Sequence, residues 1–312
     1  MFQQVLKRKR SGCWIGGEYR GIYGYSDDNW ALAPSQSALQ EMICTMEQYA
    51  NDHNLKFSTD PVPKRCKTKV MAFIFKKTTL KQMILCGNPL PWVTKLKHLG
   101  ITVTNKINGC QEDMQIKNAR YISKNNQINQ EFYFAHSSTK TLVNNIYNSH
   151  FTGSQCWDLF SEGSSRLEAS WNRSIKIVHD LPWPTHRNLM VPISETSHMK
   201  SLLMTRMITF VHKLRVSKKP VLQQMINLTM RNTRSVTGRN LRGILLLSSK
   251  SQVEDLTVND IKEIKYHPIS EGDMWRVPLI KEMLQMKSGE IEFPTGWSIK
   301  EMGEMLLEAC TS

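Results

Sequence analysis

A short polar segment between two apolar runs, near the start of the chain, limits the local fold more strongly than any other feature. The segment is Asp27-Asp28-Asn29, and the runs on either side contain Ile, Tyr, Trp, Leu and Ala. This pattern is typical of a β-hairpin, so we predict strands near 20–25 and 29–33. Adjacent carboxylates at a hairpin tip can hold a divalent metal ion, as two-metal phosphoryl or nucleotidyl transfer requires. The alternative is a purely structural turn, because Asp and Asn are favoured in turns.

Further patterns follow the hairpin in a defined order. Apolar residues at helical spacing from Leu39 to Ala50 predict a helix, and Ser37 with Gln40 fits a capping box at its start. A strand with the sequence Lys-Thr-Lys at Lys67–Lys69, within the stretch Lys64–Phe73, comes next, and a strand pair ending at 96–101 follows it. We expect Lys67 and this second hairpin to share one sheet with the first.

The amino-acid sequences of these segments resemble those of a known family. They read YSDDNWALAPS, HNLKFSTDP, CKTK and KHLGI, and each resembles one of the consecutive palm motifs of non-LTR (LINE-type) retrotransposon reverse transcriptases. Their order and spacing together are specific. Four later segments resemble the helical region after the palm: KNNQINQEFYFAHSSTK, IYNSHFTGSQCWDLF, SWNRSIKIVHDLPWPTHR and RSVTGRNLRGILLLS. The resemblance covers about residues 10–250.

The resemblance implies an α+β fold and an activity. The fold would be a partial reverse-transcriptase palm of antiparallel strands with one packed helix over 1–104, a helical thumb-like region over 105–250 and a helical C-terminal extension over 251–312. The activity would be RNA-directed DNA polymerisation by two-metal nucleotidyl transfer. It implies Mg²⁺ as the cofactor, an RNA template and a DNA primer as partners, and deoxynucleotides as substrates of the complete enzyme.

The same resemblance assigns roles to individual residues. Asp27 would be the carboxylate that binds the catalytic metal. Its neighbour Asp28 would have a less direct role. Lys67 would meet the phosphates of the incoming nucleotide, where a lysine can supply charge or a proton. Tyr25 and Ser26 would shape the turn near the primer terminus. The hairpin that grips the primer backbone would be formed by Lys97, His98, Leu99 and Gly100, with Gly100 where backbone approaches closely.

One departure from the family pattern bears on activity. The family's polymerase needs a further aspartate on an earlier strand, but no Asp precedes Asp27 here, and Glu18 is the sole carboxylate before it. We therefore expect a truncated element or partial gene without fingers or the first metal carboxylate, inactive by itself. Two alternatives stay open: a non-catalytic, basic, helical nucleic-acid-binding module, and a translated relic with no selected role.

The charge balance favours a polyanionic partner. Lys and Arg number 41 against 27 Asp and Glu, so the formal net charge is +14. Two basic stretches, 213–219 and 231–242, stand out, and the second mixes cations with hydroxyls and amides, which are groups that contact phosphate oxygens. The second contains four arginines: Arg231, Arg234, Arg239 and Arg242. Ordinary solvated loops, or a basic protein of another kind, are the alternatives.

Other signals bound the class of protein. The seven cysteines include no Cys-x-x-Cys pair, which indicates free thiols in a reducing compartment. The N-terminus has no apolar signal core, and no apolar run reaches the length of about 18 residues that a membrane helix needs. We therefore expect an intracellular protein, nuclear or cytoplasmic, without membrane partners. Lys7–Arg10 fits either a nuclear-localisation or nucleic-acid patch or the solvated end of a helix.

Beyond residue 105 the apolar spacing is helical almost throughout. Ser165 with Glu168 and Ser298 with Glu301 fit capping boxes, and Pro182 should end the helix that starts near Ser165. We expect most aromatic side chains of this region, including Trp157 and Trp171, to lie in the core.

Overall fold

The computed structural model describes residues 2–8, 10–26, 28–73, 79–106, 109–147, 151–264, 274–290, 292 and 298–311. Over these residues the fold is α+β, with twelve α-helices and four small two-stranded sheets. The α+β class is thereby confirmed, whereas its assignment to a reverse-transcriptase palm stays a prediction. The chain forms two compact units, Met1–His98 with Thr102–Gly109 and Leu99–Ile101 with Cys110–Ser312. The functional labels given to 1–104, 105–250 and 251–312 stay predictions.

The first part of the chain contains all the strands of the described residues. Its elements are α1 (Phe2–Arg8), β1 (Trp14–Ile15), β2 (Glu18–Tyr19), β3 (Ile22–Tyr25), β4 (Asp28–Ala31), α2 (Gln36–Asp52), β5 (Met83–Leu85), β6 (Asn88–Leu90), β7 (Lys95–His98) and β8 (Ile101–Thr104). Each strand pairs with its neighbour along the chain, which gives four separate hairpins. The prediction that the first hairpin, Lys67 and the 96–101 hairpin share one sheet is therefore wrong.

Helix α2 lies between two small cores of the first unit. Met42 is fully buried and packs with Leu6, Tyr19 and Ile22, while the adjacent Ile43 faces a second cluster. The second cluster also contains Cys66, Val70, Met83, Leu85 and Leu90. Adjacent residues of a helix point about 100° apart, so Met42 and Ile43 can pack into two different cores.

The N-terminus of α2 differs from the prediction. Ser35 is the N-cap, and its side chain accepts a hydrogen bond from the Ala38 backbone N–H at 3.2 Å. The predicted capping box of Ser37 and Gln40 is wrong, because the helix begins one half-turn earlier. Gln40 instead pairs with the backbone of Ile84: its amide donates to the carbonyl at 2.8 Å and accepts from the N–H at 3.0 Å.

The rest of the chain is helical, as predicted. Its α-helices are α3 (Cys110–Glu131), α4 (Ser137–Tyr147), α5 (Glu162–Val178), α6 (Arg187–Ser194), α7 (Met199–Arg215), α8 (Pro220–Arg231), α9 (Val236–Ser248), α10 (Val258–Glu263), α11 (Arg276–Ser288) and α12 (Ile299–Thr311). One continuous core joins them, and Trp157 and Trp171 are buried in it, as predicted. The prediction that most aromatic side chains of this region lie in the core is wrong, because six of the described ones are exposed: Tyr133, Phe134, Phe160, Trp183, Phe210 and Trp275. None of the described helices is both long and apolar enough to cross a membrane.

The caps of the helical unit agree with the sequence at one of two predicted positions. Ser298 and Glu301 form the predicted box, with Ser298 N–H donating to Glu301 Oε2 at 2.9 Å and Glu301 N–H to Ser298 Oγ at 3.2 Å. Helix α5 instead begins after Ser161, whose Oγ accepts from the Ser164 N–H, so the predicted Ser165–Glu168 box is wrong. Helix α5 ends at Val178, before Pro182, as expected.

A buried ion pair lies inside this helical core. Lys117 Nζ is 2.9 Å from Asp113 Oδ2 one turn earlier on α3, and both side chains are almost fully buried. Trp157 Nε1 donates to the same carboxylate oxygen at 2.8 Å, and Lys117 also donates to the Thr152 carbonyl. These bonds satisfy the desolvated charges, and they attach the segment before α5 to α3.

Candidate functional site

The predicted hairpin exists, with its polar residues at the tip. Strands β3 and β4 pair antiparallel in the register Ile22 with Ala31 through Tyr25 with Asp28. Ser26 follows β3 with φ of 54°, a left-handed conformation that a non-glycine residue adopts mainly in tight turns. Asp27, the predicted metal ligand, lies outside the described residues. The structure therefore places Tyr25, Ser26 and Asp28 at the tip, as the sequence predicts.

The two faces of this hairpin have different surroundings. Ile22 and Ala31 pack into the core with Met42, so the alternation of a strand turns Tyr25, Asp28 and Trp30 to the other face. Tyr25 is 66% exposed and the Asp28 side chain 58% exposed. The tip therefore presents a phenol and a carboxylate to solvent on a face directed away from the core.

Close packing of glycine against Tyr19 holds the base of the hairpin. A Cβ added to Gly21 would lie 2.3 Å from Tyr19 Oη, and one added to Gly12 would lie 3.0 Å from it. Tyr19 is only 3% exposed, and burial raises the pKa of its hydroxyl. Glycine is therefore required at position 21, because any side chain there would collide with the ring of Tyr19.

His98 connects the first hairpin to the 96–101 hairpin. Its Nδ1 lies 3.8 Å from Asp28 Oδ2, and its ring stacks edge-on against Trp30 with centroids 4.8 Å apart. Asp28 and Trp30 are two residues apart on one face of β4, so a single imidazole on β7 reaches both. The contact with Asp28 is an ion pair when the imidazole is protonated. Two residues predicted from separate motifs are therefore neighbours.

The second hairpin, formed by β7 and β8, has a tight turn, and its glycine allows the backbone conformation that this turn requires. Leu99 and Gly100 have φ of 46° and 79°, the signs required at both central positions of a two-residue hairpin turn. A Cβ added to Gly100 would meet nothing within 4 Å. The positive φ by itself accounts for a glycine here. The close approach of a primer backbone to Gly100 stays a prediction. Lys97 is exposed on the strand before this turn.

Lys67 does not lie on a strand. Its side chain is exposed, and the backbone around it is irregular; Cys66 before it is buried, and Thr68 after it is half-buried. Thr68 bonds through both its N–H and its hydroxyl to the Ser58 carbonyl, at 3.3 and 3.0 Å. The Thr68 N–H is therefore not available to pair with a neighbouring strand. In the described part of this segment, Val70 alone forms a β-bridge, and its partner is Trp92. The strand predicted for the Lys-Thr-Lys segment is therefore wrong, and the role of Lys67 stays a prediction.

The four arginines of the 231–242 stretch divide into two pairs. Arg231 and Arg234 are exposed. Arg239 forms an ion pair with Asp158 at 2.7 Å and donates to the Arg234 carbonyl, while Arg242 donates to the Thr233 carbonyl at 2.7 Å. Arg239 and Arg242 thus stabilise the connection between α8 and α9. Their predicted phosphate contacts stay untested, and Arg231 and Arg234 are better placed for them.

The stretch 213–219 spans the end of α7 and the start of α8. Arg215 pairs with Glu254 at 2.6 Å, which leaves its charge partly neutralised. Lys213, Lys218 and Lys219 are exposed. Lys213 lies in the last turn of α7, and Lys218 and Lys219 lie in the connection to α8. Contact of these lysines with phosphate stays a prediction.

The described residues do not provide a two-metal centre. They contain no group of three or more His, Cys, Asp or Glu side chains able to hold an ion. Asp28 is the one described carboxylate at the tip, and a nitrogen of His98 lies beside it. Mg²⁺ prefers oxygen ligands, and two-metal transfer needs carboxylates that bridge both ions. The described donor set therefore does not fit the two Mg²⁺ ions that the resemblance implies.

Sequence reasoning missed two sets of contacts in this unit. Gln36 and Gln40 lie one turn apart on α2, and their amides bond the backbone at Thr79, Lys81 and Ile84. Two glutamines at helical i, i+4 spacing, and therefore on one face of this helix, were an available signal. The proximity of His98 to Asp28 had no local signal, because it depends on how two hairpins pack.

Comparison of the chain with protein-family models, with curated proteins and with solved structures found no match.

Proposed function

We propose that this chain is a partial reverse-transcriptase palm with a thumb-like helical region, of the non-LTR retrotransposon type, which binds nucleic acid but does not extend primers by itself. The order of the YSDD, CKTK and KHLGI segments supports the proposal. One structural observation carries it: His98 of the last segment contacts Asp28 and Trp30 of the first. Motifs that serve one site should meet in space, and these two do.

The tip residues account for binding better than for chemistry. Tyr25 offers an exposed ring on which a base or sugar can pack, and Lys97 offers a cation beside His98. Magnesium, when bound, would supply Lewis-acid stabilisation of phosphate oxygens. Asp28 with its sequence neighbour Asp27 would hold one such ion weakly. The bridging ligand for a second ion is missing from the described donor set, so these residues support binding without a transfer step.

A primer-extension assay tests the proposal. Purified protein with Mg²⁺, an RNA template, a DNA primer and deoxynucleotides should give no extension, while Asp27→Ala and Asp28→Ala should leave binding of the primer–template nearly unchanged. Extension that Asp27→Ala abolishes would show that the catalytic site is complete, and would contradict the proposal.

A second candidate function is a helical nucleic-acid-binding module without a functional palm, and the continuous core of the second unit favours it. Variants at the hairpins separate the two candidates. Under the palm proposal, Tyr25→Ala should weaken primer–template binding by about five-fold or more, since stacking contributes roughly 1–3 kcal/mol per base, and His98→Ala should also weaken it. Unchanged binding in both variants would favour the helical module, and absent binding in the unaltered chain would favour a relic.

A further inference from the structure

Trp183 is an exposed aromatic side chain in the helical unit, unlike Trp157 and Trp171, which are core residues. It lies between Pro182 and Pro184 in the connection from α5 to α6, and 60% of its surface is exposed. The two prolines restrict the backbone on both sides, so the ring is presented with little conformational freedom. A rigid, exposed indole is characteristic of a contact surface.

Three cations lie on the two helices that flank this residue: Arg173 and Lys176 on α5 and Arg187 on α6. The Arg173 guanidinium lies 5.4 Å from the Trp183 ring centroid, and Lys176 Nζ donates to the Trp183 carbonyl. Arg187 begins α6, and burial followed by the charge of Arg187 lowers the pKa of Lys176. Two elements and their connection thus place like charges together, an arrangement that costs free energy unless an anion is nearby.

The acidic groups of the same region are used elsewhere. Glu162 pairs with Arg166 at 2.6 Å, Glu168 with His198 at 3.1 Å, and Asp180 with Lys287. Across the described part of the chain, Arg173, Lys176 and Arg187 form no ion pair. The positive charge around Trp183 is therefore available to an anionic ligand.

Along the chain, Trp183 stands apart from the other exposed hydrophobic side chains. Among the described residues, no large hydrophobic side chain between Phe160 and Phe210 is exposed except Trp183. One indole offers too little apolar area for a membrane or for a protein interface. It is sufficient for one stacked base, and the adjoining cations match the phosphates on either side.

We propose that Trp183, Arg173, Lys176 and Arg187 form a site for single-stranded nucleic acid, with a base stacked on the indole and the neighbouring phosphates against the three cations. A duplex hides its base faces, so an unpaired strand is the ligand that this ring can use. The inference rests on the nucleic-acid binding of the proposed function and names a surface for it. It does not depend on the hairpin residues.

Binding of two probes to the full chain tests this site. The probes are an oligo(dT) of about 12 nucleotides and an abasic oligomer of the same length, which keeps the phosphates and lacks the bases. Trp183→Ala should weaken oligo(dT) binding about ten-fold and leave abasic binding unchanged. Trp183→Phe should retain most of the affinity for oligo(dT). Arg187→Gln should weaken both probes about equally, since it removes a phosphate contact.

Trp275 provides a matched control. It is 58% exposed and also lies beside an arginine, Arg276, at 5.8 Å, but in another part of the unit. Trp275→Ala should change neither affinity. The ratio of oligo(dT) to abasic affinity within each variant cancels any loss of folded protein, so a folding defect does not imitate the expected result.

Two results would overturn the site. Equal weakening of both probes by Trp183→Ala would mean that no base stacks on the ring and that the patch attracts polyanions in general. Unchanged binding of both probes would mean that nucleic acid does not use this surface. Failure of the hairpin variants Tyr25→Ala and His98→Ala to affect primer–template binding would contradict the palm proposal alone, because those residues lie outside the Trp183 patch.

Discussion

At the scale of single residues, buried charge in the helical unit is tolerated because each charged atom has partners. Asp113 is 1% exposed and accepts hydrogen bonds from Lys117 and from the Trp157 indole. Removing one charge of such a pair leaves the other desolvated and alone, whereas removing both is much less harmful. The pair therefore specifies how the segment before α5 lies on α3 without adding much net stability.

Substitution of one member of this pair should be severe. We expect Lys117→Met to lower the free energy of unfolding by about 3 kcal/mol, because Asp113 would stay buried without its cation. The double variant Asp113→Leu with Lys117→Met should lose less than the single variant, although Trp157 loses its acceptor. Urea denaturation of both proteins measures the difference. A double variant less stable than Lys117→Met would show that the pair contributes net stability.

His179 gives the helical unit a defined pH dependence. Burial, followed by the charges of His136 and Lys281 and opposed by Glu195, lowers its pKa from an ordinary value of 6.5 to about 4. In the native protein its Nε2 lies 3.2 Å from Thr141 Oγ1. The unfolded chain therefore takes up a proton at a higher pH than the native chain does. The stabilisation is complete above pH 6.5 and is lost as pH falls towards about 4.

This loss should be on the order of 2 kcal/mol, allowing for the partial exposure of the ring. Thermal unfolding followed at pH values from 7 to about 4 measures it. His179→Gln should have a flatter profile over the same interval, because the amide does not titrate. Identical profiles for the two proteins would show that other groups cause the pH dependence.

At the scale of elements, local patterns predicted helices and tight hairpins well. The hairpin of β3 and β4 needs a two-residue connection and neighbouring strands, all of which are adjacent in sequence. The missing sheet is different, because pairing between distant strands depends on packing that no local pattern encodes. Lys67 illustrates this: bonds from Thr68 to Ser58 replace the expected ladder.

The exact first residue of a helix is also hard to predict from local sequence. Two serines near the start of α2, Ser35 and Ser37, both fit an N-cap, and the structure uses Ser35. The starting point depends on how the helix packs on its two cores, and Gln40 is needed for Ile84 rather than for a capping box. Near α5 the same ambiguity arises between Ser161 and Ser165.

Substitution of these two serines distinguishes the caps. Ser35→Ala should lower the free energy of unfolding by about 1 kcal/mol, because the Ala38 N–H loses its acceptor. Ser37→Ala, the matched control inside the helix, should change it by less than about 0.5 kcal/mol. Chemical denaturation of the two variants gives both values. A larger loss for Ser37→Ala would restore the capping box predicted from the sequence.

At the scale of the whole molecule, positive charge dominates, and only part of it is available for binding. The excess of 41 Lys and Arg over 27 Asp and Glu gives +14. Composition alone could not show which cations already have a partner within the protein. In the structure, Arg239 forms an ion pair with Asp158, and Arg242 donates a hydrogen bond to the Thr233 carbonyl. Arg231 and Arg234 remain exposed. They are therefore the better test of contact with phosphate than the four arginines together.

The central claim, that this chain binds nucleic acid mainly through phosphate contacts, is tested most directly by the salt dependence of primer–template binding. Fluorescence anisotropy across a range of salt concentrations should give a linear, steeply falling plot of log affinity against log salt concentration. Arg231→Gln with Arg234→Gln should flatten its slope by about 1.5, while Asp27→Ala should leave it unchanged. Binding that does not respond to salt, or no binding at all, would contradict the account.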